Sequence, residues 1–196
     1  RQAEFKHIDL IIKTCGENNL NLKVAGEGIA HEELKALASK YNSVEMLGFV
    51  SPEEKKILYK NCIAGIYAAE DEDFGMTILE PMLFGKPVIA YNSGGYRETV
   101  EDNVNGIFFD KLTQDALSTA IHKLQNQKFN SSEIRKFALK YSRENFKNKI
   151  YSFLFIPFIG KIISGHNNAY KYLPSTALSF PCAENFITLM NNSNLF

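Results

Sequence analysis

Short apolar segments alternate along most of this chain with amphipathic segments of helical spacing. Strands that are apolar throughout are typical of a parallel sheet covered on both faces, because neither face then meets water. The alternation therefore predicts an α/β fold built on a doubly wound parallel sheet. The predicted strands lie at 21–28, 44–50, 63–69, 87–91 and 106–109.

Capping residues indicate where helices begin and end. Ser51 precedes Pro52 and stands three residues before Glu54, which is the pattern of a capping box with proline at the first helical position. Gly85 is placed to end the next helix, and Pro87 prevents that helix from continuing.

Polar and glycine-rich turns follow several of the predicted strands. They are the glycine turn at 26–28, the acidic cluster at 70–73 and the turn at 93–95. Ligands of doubly wound sheets bind at the carboxyl ends of the strands, where the strand order switches. We therefore expect these three turns to converge on one binding site.

Two glutamates eight positions apart, Glu72 and Glu80, flank the predicted start of a helix near Gly75. The free N–H groups of a first helical turn form an anion site that the helix dipole favours. Gly75 has no side chain, so a ligand can approach the backbone closely. Carboxylates on both sides of a phosphate-sized anion site suit a diphosphate flanked by hydroxyl groups, which describes a nucleotide sugar.

The composition excludes some classes of protein. Lys plus Arg number 22 and Asp plus Glu number 22, so the chain lacks the basic field that supports non-specific nucleic-acid binding. Its three cysteines are scattered without metal spacing, which indicates reduced thiols in a cytoplasmic protein. The apolar run 151–163 is too short for the roughly 20 residues that span a bilayer. A buried segment is favoured there over a peripheral one at the inner face of the membrane.

Several segments in a fixed order resemble the retaining glycosyltransferases of family 4. The segments 72–81, 84–90 and 94–100 resemble the EX7E region of that family. Residues 1–12 are similar to its Arg-x4-Lys-x2-Asp-Leu segment, 24–28 to its glycine turn, 47–62 to the segment before the acidic strand, and 140–153 to its closing helix. The resemblance covers about four-fifths of the chain, residues 1–154.

The resemblance implies the GT-B fold, in which the second of two Rossmann-like domains holds most of the donor. Residues 1–154 then form this C-terminal donor-binding domain, and 155–196 form an irregular tail of unknown role. The family's first strand in this domain immediately precedes the arginine, so we expect a sheet that lacks its first strand. With the N-terminal acceptor domain also missing from this chain, we expect it alone to be weakly active or inactive.

The resemblance also implies roles for individual residues. Arg1 and Lys6 match the cationic pair that neutralises the donor diphosphate. Glu72 matches the catalytic carboxylate that contacts the transferred sugar, and Glu80 matches the one that binds the ribose hydroxyls. The backbone that meets the sugar and diphosphate belongs to Phe74, Gly75, Met76 and Thr77. The segment 49–51, centred on Val50, is expected near the base.

Such enzymes need no bound metal or cofactor, because cationic side chains and the helix terminus supply the electrostatic stabilisation. The acidic run 71–73 is therefore not interpreted as a metal motif. The implied substrates are a nucleotide-diphosphate sugar, GDP-mannose or a UDP-sugar, and a glycan or lipid-linked acceptor. The resulting hypothesis is a retaining transfer of a hexose.

Structural alternatives remain at each of these positions. Thr77 and Glu80 also fit a capping box, and Glu72 also fits an exposed charge among acidic neighbours. Arg1 also fits a solvated chain end, and Lys6 the opening of a helix. The residues interpreted as structural are the turn glycines Gly26, Gly28, Gly94 and Gly95 and the histidines His7, His31, His122 and His166.

Two further functions stay open beside transfer. The first is a non-catalytic module that binds a nucleotide sugar or docks a partner, as one half of a split enzyme. The second is an epimerase acting on UDP-GlcNAc, which is disfavoured because the carboxylates and histidine that it needs have no evident place in the sequence.

Overall fold

The computed structural model describes residues 2–142 and 145 of the chain. In this part, β-strands alternate with helices as the sequence predicts. The strands are β1 (Leu22–Ala25), β2 (Val44–Gly48), β3 (Gly65–Tyr67), β4 (Val88–Tyr91) and β5 (Gly106–Phe109). The helices are α1 (Ile8–Glu17), α2 (His31–Ala38), α3 (Pro52–Asn61), α4 (Met76–Leu83), α5 (Tyr96–Thr99), α6 (Gln114–Gln125) and α7 (Ser131–Leu139), and a short 3-10 helix (Glu4–Lys6) precedes α1.

The strands form two parallel sheets rather than one continuous sheet. One sheet pairs β1 with β2, and the other has the order β3-β4-β5. Among the described residues no ladder joins β1 to β3. The N-terminal segment contacts the chain just beyond both strands: Gln2 forms a parallel bridge with Gly28, and the Glu70 amide donates to the Phe5 carbonyl over 3.0 Å. The expected α/β class with parallel strands is confirmed, and its sheet is interrupted between β1 and β3.

Burial differs between the two sheets. Val88, Ile89 and Ala90 of β4 are fully buried, as predicted for strands that are apolar throughout. In the other sheet, Lys23 of β1 pairs with Glu45 of β2 over 2.9 Å, and both side chains are 58% exposed. The prediction of strands covered on both faces is therefore right for β4 and wrong for β1, because β1 and β2 turn one face to solvent.

Helix α1 contributes to two hydrophobic clusters. Leu10, Ile11 and Cys15 pack with residues of β4, β5 and α6, whereas Ile12 packs with residues of β1 and α2. Burial raises the pKa of the Cys15 thiol to about 11, so this cysteine stays neutral at physiological pH. One helix thus buries apolar surface against elements of both sheets.

The predicted helix caps are confirmed. The Ser51 hydroxyl accepts from the Glu54 amide over 3.2 Å, and the Glu54 carboxylate accepts from the Ser51 amide over 2.8 Å. Pro52 is the first helical residue of α3. At the end of α4, Gly85 adopts a φ of +72°, and its amide donates to the Met82 carbonyl over 2.9 Å.

Replacing Ser51 with Ala is expected to lower the free energy of unfolding by about 1 kcal/mol, because the Ser51 hydroxyl that accepts from the Glu54 amide and donates to the Glu54 carboxylate is lost. Urea unfolding of the whole chain measures this change. Ser51→Thr keeps a capping hydroxyl and is the matched control, with a smaller expected loss. Equal stability of Ser51→Ala and the unaltered chain would contradict the prediction.

The chain divides into two units, Arg1–Ala138 and Leu139–Phe196. All the described strands lie in the first unit. The predicted closing helix at 140–153, the apolar run 151–163, the domain boundary after 154 and the irregular tail lie largely or wholly outside the described residues, so they stay predictions. No helix in the described part of the chain has the length and apolar character needed to cross a membrane.

Candidate functional site

The loop between β3 and α4 carries the predicted catalytic carboxylate and is held from two directions. The amide of Glu70 donates to the Phe5 carbonyl over 3.0 Å, which joins the loop to the N-terminal segment. The amide of Gly95 donates to the Glu72 carbonyl over 2.7 Å, which joins it to the turn after β4. The backbone of Glu72 is therefore fixed by the surrounding chain.

The turn after β4 lies directly against this loop. A methyl group at Gly94 would lie 2.6 Å from the Glu72 carbonyl oxygen, and one at Gly95 would lie 2.4 Å from the Asp73 carbonyl oxygen. Gly94 also adopts a φ of +50°, a conformation that disfavours side chains. Both positions need glycine for close backbone approach, which supports their interpretation as turn residues.

The glycine turn at 26–28 is connected to the acidic loop by the N-terminal segment, in which Gln2 makes the contact with the turn. The Gln2 amide group donates to the Gly26 carbonyl over 2.7 Å, and its side-chain oxygen lies 2.9 Å from Nδ1 of His31. Gln2 is only 1% exposed, although glutamine is usually a surface residue. The N-terminal segment thus contacts the 26–28 turn at Gln2 and the acidic loop at Phe5.

Lys6 and Glu72, which the sequence analysis assigns to the diphosphate and the sugar, lie side by side. Their Nζ and Oε2 atoms are 3.4 Å apart, and each side chain is 24% exposed. The ammonium of Lys6 also lies 5.6 Å from the centre of the Phe5 ring. An ammonium has three N–H donors, so Lys6 can bond to Glu72 and to an anion at the same time.

Helix α4 begins where the sequence predicts, with Gly75 as its N-cap at a φ of +69°. The structure gives another reason for glycine than ligand access, because a methyl group there would lie 2.5 Å from the Tyr96 ring. As a glycine, the N-cap residue has no side chain that could cap this helix end. The amides of Met76 and Thr77 precede the first full helical hydrogen bond, so they belong to a first turn whose amides have no acceptor within the helix.

Glu80 is held by α3 through both carboxylate oxygens. Lys55 Nζ lies 2.7 Å from Oε1, and the Tyr59 hydroxyl donates to Oε2 over 2.7 Å. The side chains of Glu80 and Lys55 are 19% and 32% exposed. The capping-box alternative for Thr77 and Glu80 is wrong, because Gly75 is the N-cap and the Glu80 carboxylate bonds to the neighbouring helix.

A proline inside α4 creates an unusual contact with β3. Pro81 lies within the helix and has no N–H to donate to the carbonyl of Thr77. The Tyr67 hydroxyl donates to that carbonyl over 2.8 Å. The side chain of Tyr67 thus replaces a missing backbone hydrogen bond in the helix that carries Glu80.

A tyrosine lies near each of the two carboxylates, Tyr59 near Glu80 and Tyr96 near Glu72. Desolvation, and after it the charge of Glu80, raise the pKa of Tyr59. Desolvation, and after it the charge of Glu72, raise the pKa of Tyr96. Both hydroxyl groups therefore keep their protons at neutral pH and can act as hydrogen-bond donors.

The remaining predicted site residues are less defined. Arg1 lies outside the described residues, so its role at the diphosphate stays a prediction. Val50 lies between β2 and α3, next to Phe49, whose side chain is 77% exposed. In the part of the chain that the structure describes, no group of three His, Cys, Asp or Glu side chains is placed to hold a metal ion. Metal-independent chemistry likewise stays a prediction.

The sequence analysis missed Lys55 and Tyr59, the partners of Glu80. Their spacing of four residues on a predicted helix indicates that they share one face. The sequence carries no signal that this face meets Glu80. Tyr96 was also missed, although it lies within the 94–100 segment that supports the family resemblance.

Known glycosyltransferases are similar to this chain in sequence and in structure. The alpha-1,3/1,6-mannosyltransferase ALG2 of Dictyostelium discoideum is 37% identical over 130 residues, which are 61% of this chain and 31% of that protein. The crystal structure of Anabaena Alr3699/HepE in complex with UDP-glucose matches with a TM-score of 0.67 and 25% identity, over 79% of this chain and 46% of that chain.

A third match covers nearly the whole length of the matched protein. The catalytic domain of cholesterol-alpha-glucosyltransferase from Helicobacter pylori has a TM-score of 0.62 and 25% identity, over 72% of this chain and 94% of that chain. These matches support the parallel α/β fold described above. The chain spans about a third of the length of ALG2 and less than half of HepE.

Two family comparisons match different parts of the chain. The ubiE/COQ5 methyltransferase family matches residues 128–195, most of which lie outside the described residues. The sequence analysis did not predict this second similarity. The family described as glycosyl transferases group 1 matches residues 1–145, which include all the described strands and both carboxylates. This chain therefore belongs to the group 1 glycosyl transferases.

Proposed function

We propose that this chain is the donor-binding part of a retaining family 4 glycosyltransferase, which moves a hexose from a nucleotide-diphosphate sugar to a glycan or lipid-linked acceptor. The observation that carries the proposal is the uncapped start of α4 with Glu72 before it and Glu80 one turn inside it. Each carboxylate contacts a lysine, Lys6 for Glu72 and Lys55 for Glu80. Glu72 and Glu80 are the two glutamates of the EX7E pattern.

The donor diphosphate is proposed to bind at the start of α4. The amides of Gly75, Met76 and Thr77 supply oriented donors, and the helix dipole adds positive potential. Lys6 lies beside the same loop and supplies a positive charge. When the bond between the sugar and the diphosphate breaks, negative charge develops on the departing phosphate oxygen, and these groups stabilise it.

Glu72 is proposed to contact the transferred sugar. Its backbone carbonyl accepts a hydrogen bond from the Gly95 amide in the turn after β4, and Lys6 lies 3.4 Å from its carboxylate. A carboxylate held in this way can accept hydrogen bonds from sugar hydroxyls and stabilise positive charge that develops at the anomeric carbon. Transfer with retention is what the family 4 resemblance implies.

Glu80 is proposed to bind the ribose, and the segment after β2 to lie near the base. Phe49 is a largely exposed aromatic side chain at the carboxyl end of β2, next to Val50. An exposed aromatic ring offers a stacking surface to a nucleobase. This arrangement places the nucleoside toward α3 and the sugar toward Lys6.

The similar proteins suggest which donors to test. ALG2 is described as a mannosyltransferase, and HepE was crystallised with UDP-glucose. The motif resemblance favours GDP-mannose, with UDP-sugars as the alternative. The acceptor is proposed to be a growing surface polysaccharide or a lipid-linked glycan, and a cytoplasmic location is proposed with it.

Calorimetry with GDP, UDP, GDP-mannose and UDP-glucose tests the proposal on the whole chain. We expect one of the two nucleoside diphosphates to bind, and Glu80→Gln to weaken its binding about tenfold by removing a charged acceptor. Glu17→Gln, at the far end of α1, is the control and should bind normally. Absence of binding by all four ligands would contradict the proposal.

Assays of sugar transfer and of UDP-GlcNAc interconversion, run beside the calorimetry, separate the alternative functions. Binding without transfer, with transfer restored when an N-terminal acceptor domain is added, is the result expected of a split enzyme. Binding without transfer under any addition would favour a non-catalytic module. Interconversion of UDP-GlcNAc without an acceptor would indicate an epimerase.

A further inference from the structure

The carboxylate of Glu80 is oriented by two side chains from a single helix face. Lys55 and Tyr59 are one turn apart on α3, and each contacts a different oxygen of Glu80 at 2.7 Å. Residues four apart on a helix lie one above the other, so a single face of α3 supplies both contacts. This arrangement leaves the carboxylate little freedom to rotate.

These two contacts leave acceptor capacity on the carboxylate. An ionised carboxylate has about four lone-pair sites, two on each oxygen. One site on each oxygen is already occupied, by the ammonium of Lys55 on Oε1 and by the hydroxyl of Tyr59 on Oε2. Each oxygen can therefore accept one more hydrogen bond, which is the number and spacing that two adjacent hydroxyl groups require.

We propose that Tyr59 and Lys55 are positioning residues that make Glu80 selective for nucleotides with both ribose hydroxyls. The proposal rests on the ribose role of Glu80 given above and adds how the ribose is distinguished from deoxyribose. Neither residue contacts the nucleotide. Both act through Glu80, by fixing the plane of its carboxylate.

The surroundings of Tyr59 suit this role. Its ring stacks on Phe84 with a centre-to-centre distance of 6.3 Å, and its hydroxyl interacts with that of Tyr67. Tyr67 in turn bonds to the Thr77 carbonyl of α4. The ring of Tyr59 is therefore fixed between α3, β3 and α4, and its hydroxyl remains a donor because its pKa is raised.

Lys55 complements Tyr59 in a different way. Its ammonium is an ionic partner for a carboxylate that is only 19% exposed. Removing one member of such a pair leaves the charge of the other uncompensated. Lys55 thus holds Oε1 and Tyr59 holds Oε2, and together they set the direction in which the free lone pairs point.

Calorimetry on the whole chain with paired nucleotides tests the proposal. The probes are whichever of UDP and GDP binds more tightly and its 2′-deoxy counterpart. The unaltered chain should prefer the ribonucleotide by about tenfold. Tyr59→Phe should weaken ribonucleotide binding about tenfold and 2′-deoxynucleotide binding clearly less, because the deoxy ligand offers Glu80 only its 3′-hydroxyl.

Lys55→Met provides a second variant and should lose the same preference. Tyr41→Phe and Lys60→Met are the matched controls. The first removes a tyrosine hydroxyl between α2 and β2, and the second removes a lysine ammonium from α3. Neither group is one of the two that bond to Glu80. Both should keep the preference of the unaltered chain. Far-ultraviolet circular dichroism reports whether each variant is folded.

The other results overturn the proposal in distinguishable ways. Equal weakening of both nucleotides by Tyr59→Phe would indicate a structural role alone, and no change in either would exclude any role. An unaltered chain that binds both nucleotides equally would show that Glu80 does not recognise the ribose. Absence of binding to either by the unaltered chain would remove the proposed function itself.

Discussion

Replacement of Glu72 with Ala is expected to lower the turnover of sugar transfer by at least about tenfold. The carboxylate lies beside Lys6 at the end of β3, where the sugar is proposed to bind, so its loss removes a contact made to the reacting sugar. Nucleoside diphosphate affinity should change little, because Glu80 and the start of α4 are untouched. Steady-state kinetics of an enzyme that includes the acceptor domain, together with calorimetry of this chain, measure both effects.

Glu70→Ala is the matched control for this experiment. Glu70 is a carboxylate in the same loop, but its side chain is 52% exposed and lies 3.0 Å from His7 Nε2 rather than beside Lys6. We expect its replacement to leave turnover within about twofold. Unchanged activity of Glu72→Ala, or equal losses in the two variants, would exclude the catalytic role of Glu72.

Gly94→Ala is expected to have the second large effect, on stability and on donor binding together. A methyl group there would lie 2.6 Å from the Glu72 carbonyl oxygen, so the loop that carries Glu72 must move. Overpacking of this kind costs about 1–3 kcal/mol, in addition to about 1–2 kcal/mol for a left-handed conformation. Urea unfolding measures the loss of stability, and calorimetry with the donor measures the loss of affinity that follows from displacing the loop.

Gly48→Ala separates the clash from the backbone strain. Gly48 has a φ of +64°, close to the +50° of Gly94, but a methyl group there would meet only Glu27 Oε1 at 3.6 Å. Its stability loss should therefore lack the overpacking part, about 1–3 kcal/mol smaller than that of Gly94→Ala. Equal losses in the two variants would show that the loop and the turn do not constrain each other.

Local signals in the sequence were sufficient for much of the fold. The capping box at Ser51 and the glycine at Gly85 form where they were predicted, because caps depend on residues a few positions apart. The strand at β4 was evident because four adjacent apolar residues have no amphipathic alternative. The two-sheet arrangement was not evident, since pairing between strands depends on residues far apart in the sequence.

The candidate site was likewise predicted only in part from the sequence. The family resemblance assigned Lys6 to the diphosphate and Glu72 to the sugar, and the structure brings these two side chains within 3.4 Å. The motif also identified Glu80, but not Lys55 and Tyr59, because that contact depends on how α3 packs against α4. Gly75 shows the converse case. The helix begins at this glycine as predicted, but the reason differs, because the Tyr96 ring occupies the space that a side chain at position 75 would need.

The pairing of Tyr67 with the helix carbonyl freed by Pro81 has a consequence for how such chains diverge. An aromatic hydroxyl on a strand does here what a backbone amide does in an unbroken helix. If a residue with a backbone amide replaced Pro81, that amide would compete for the Thr77 carbonyl, and the hydrogen bond from the Tyr67 hydroxyl would no longer be needed. We therefore expect substitutions at Tyr67 and Pro81 to be coupled, so that the effect of changing either residue depends on which residue occupies the other position.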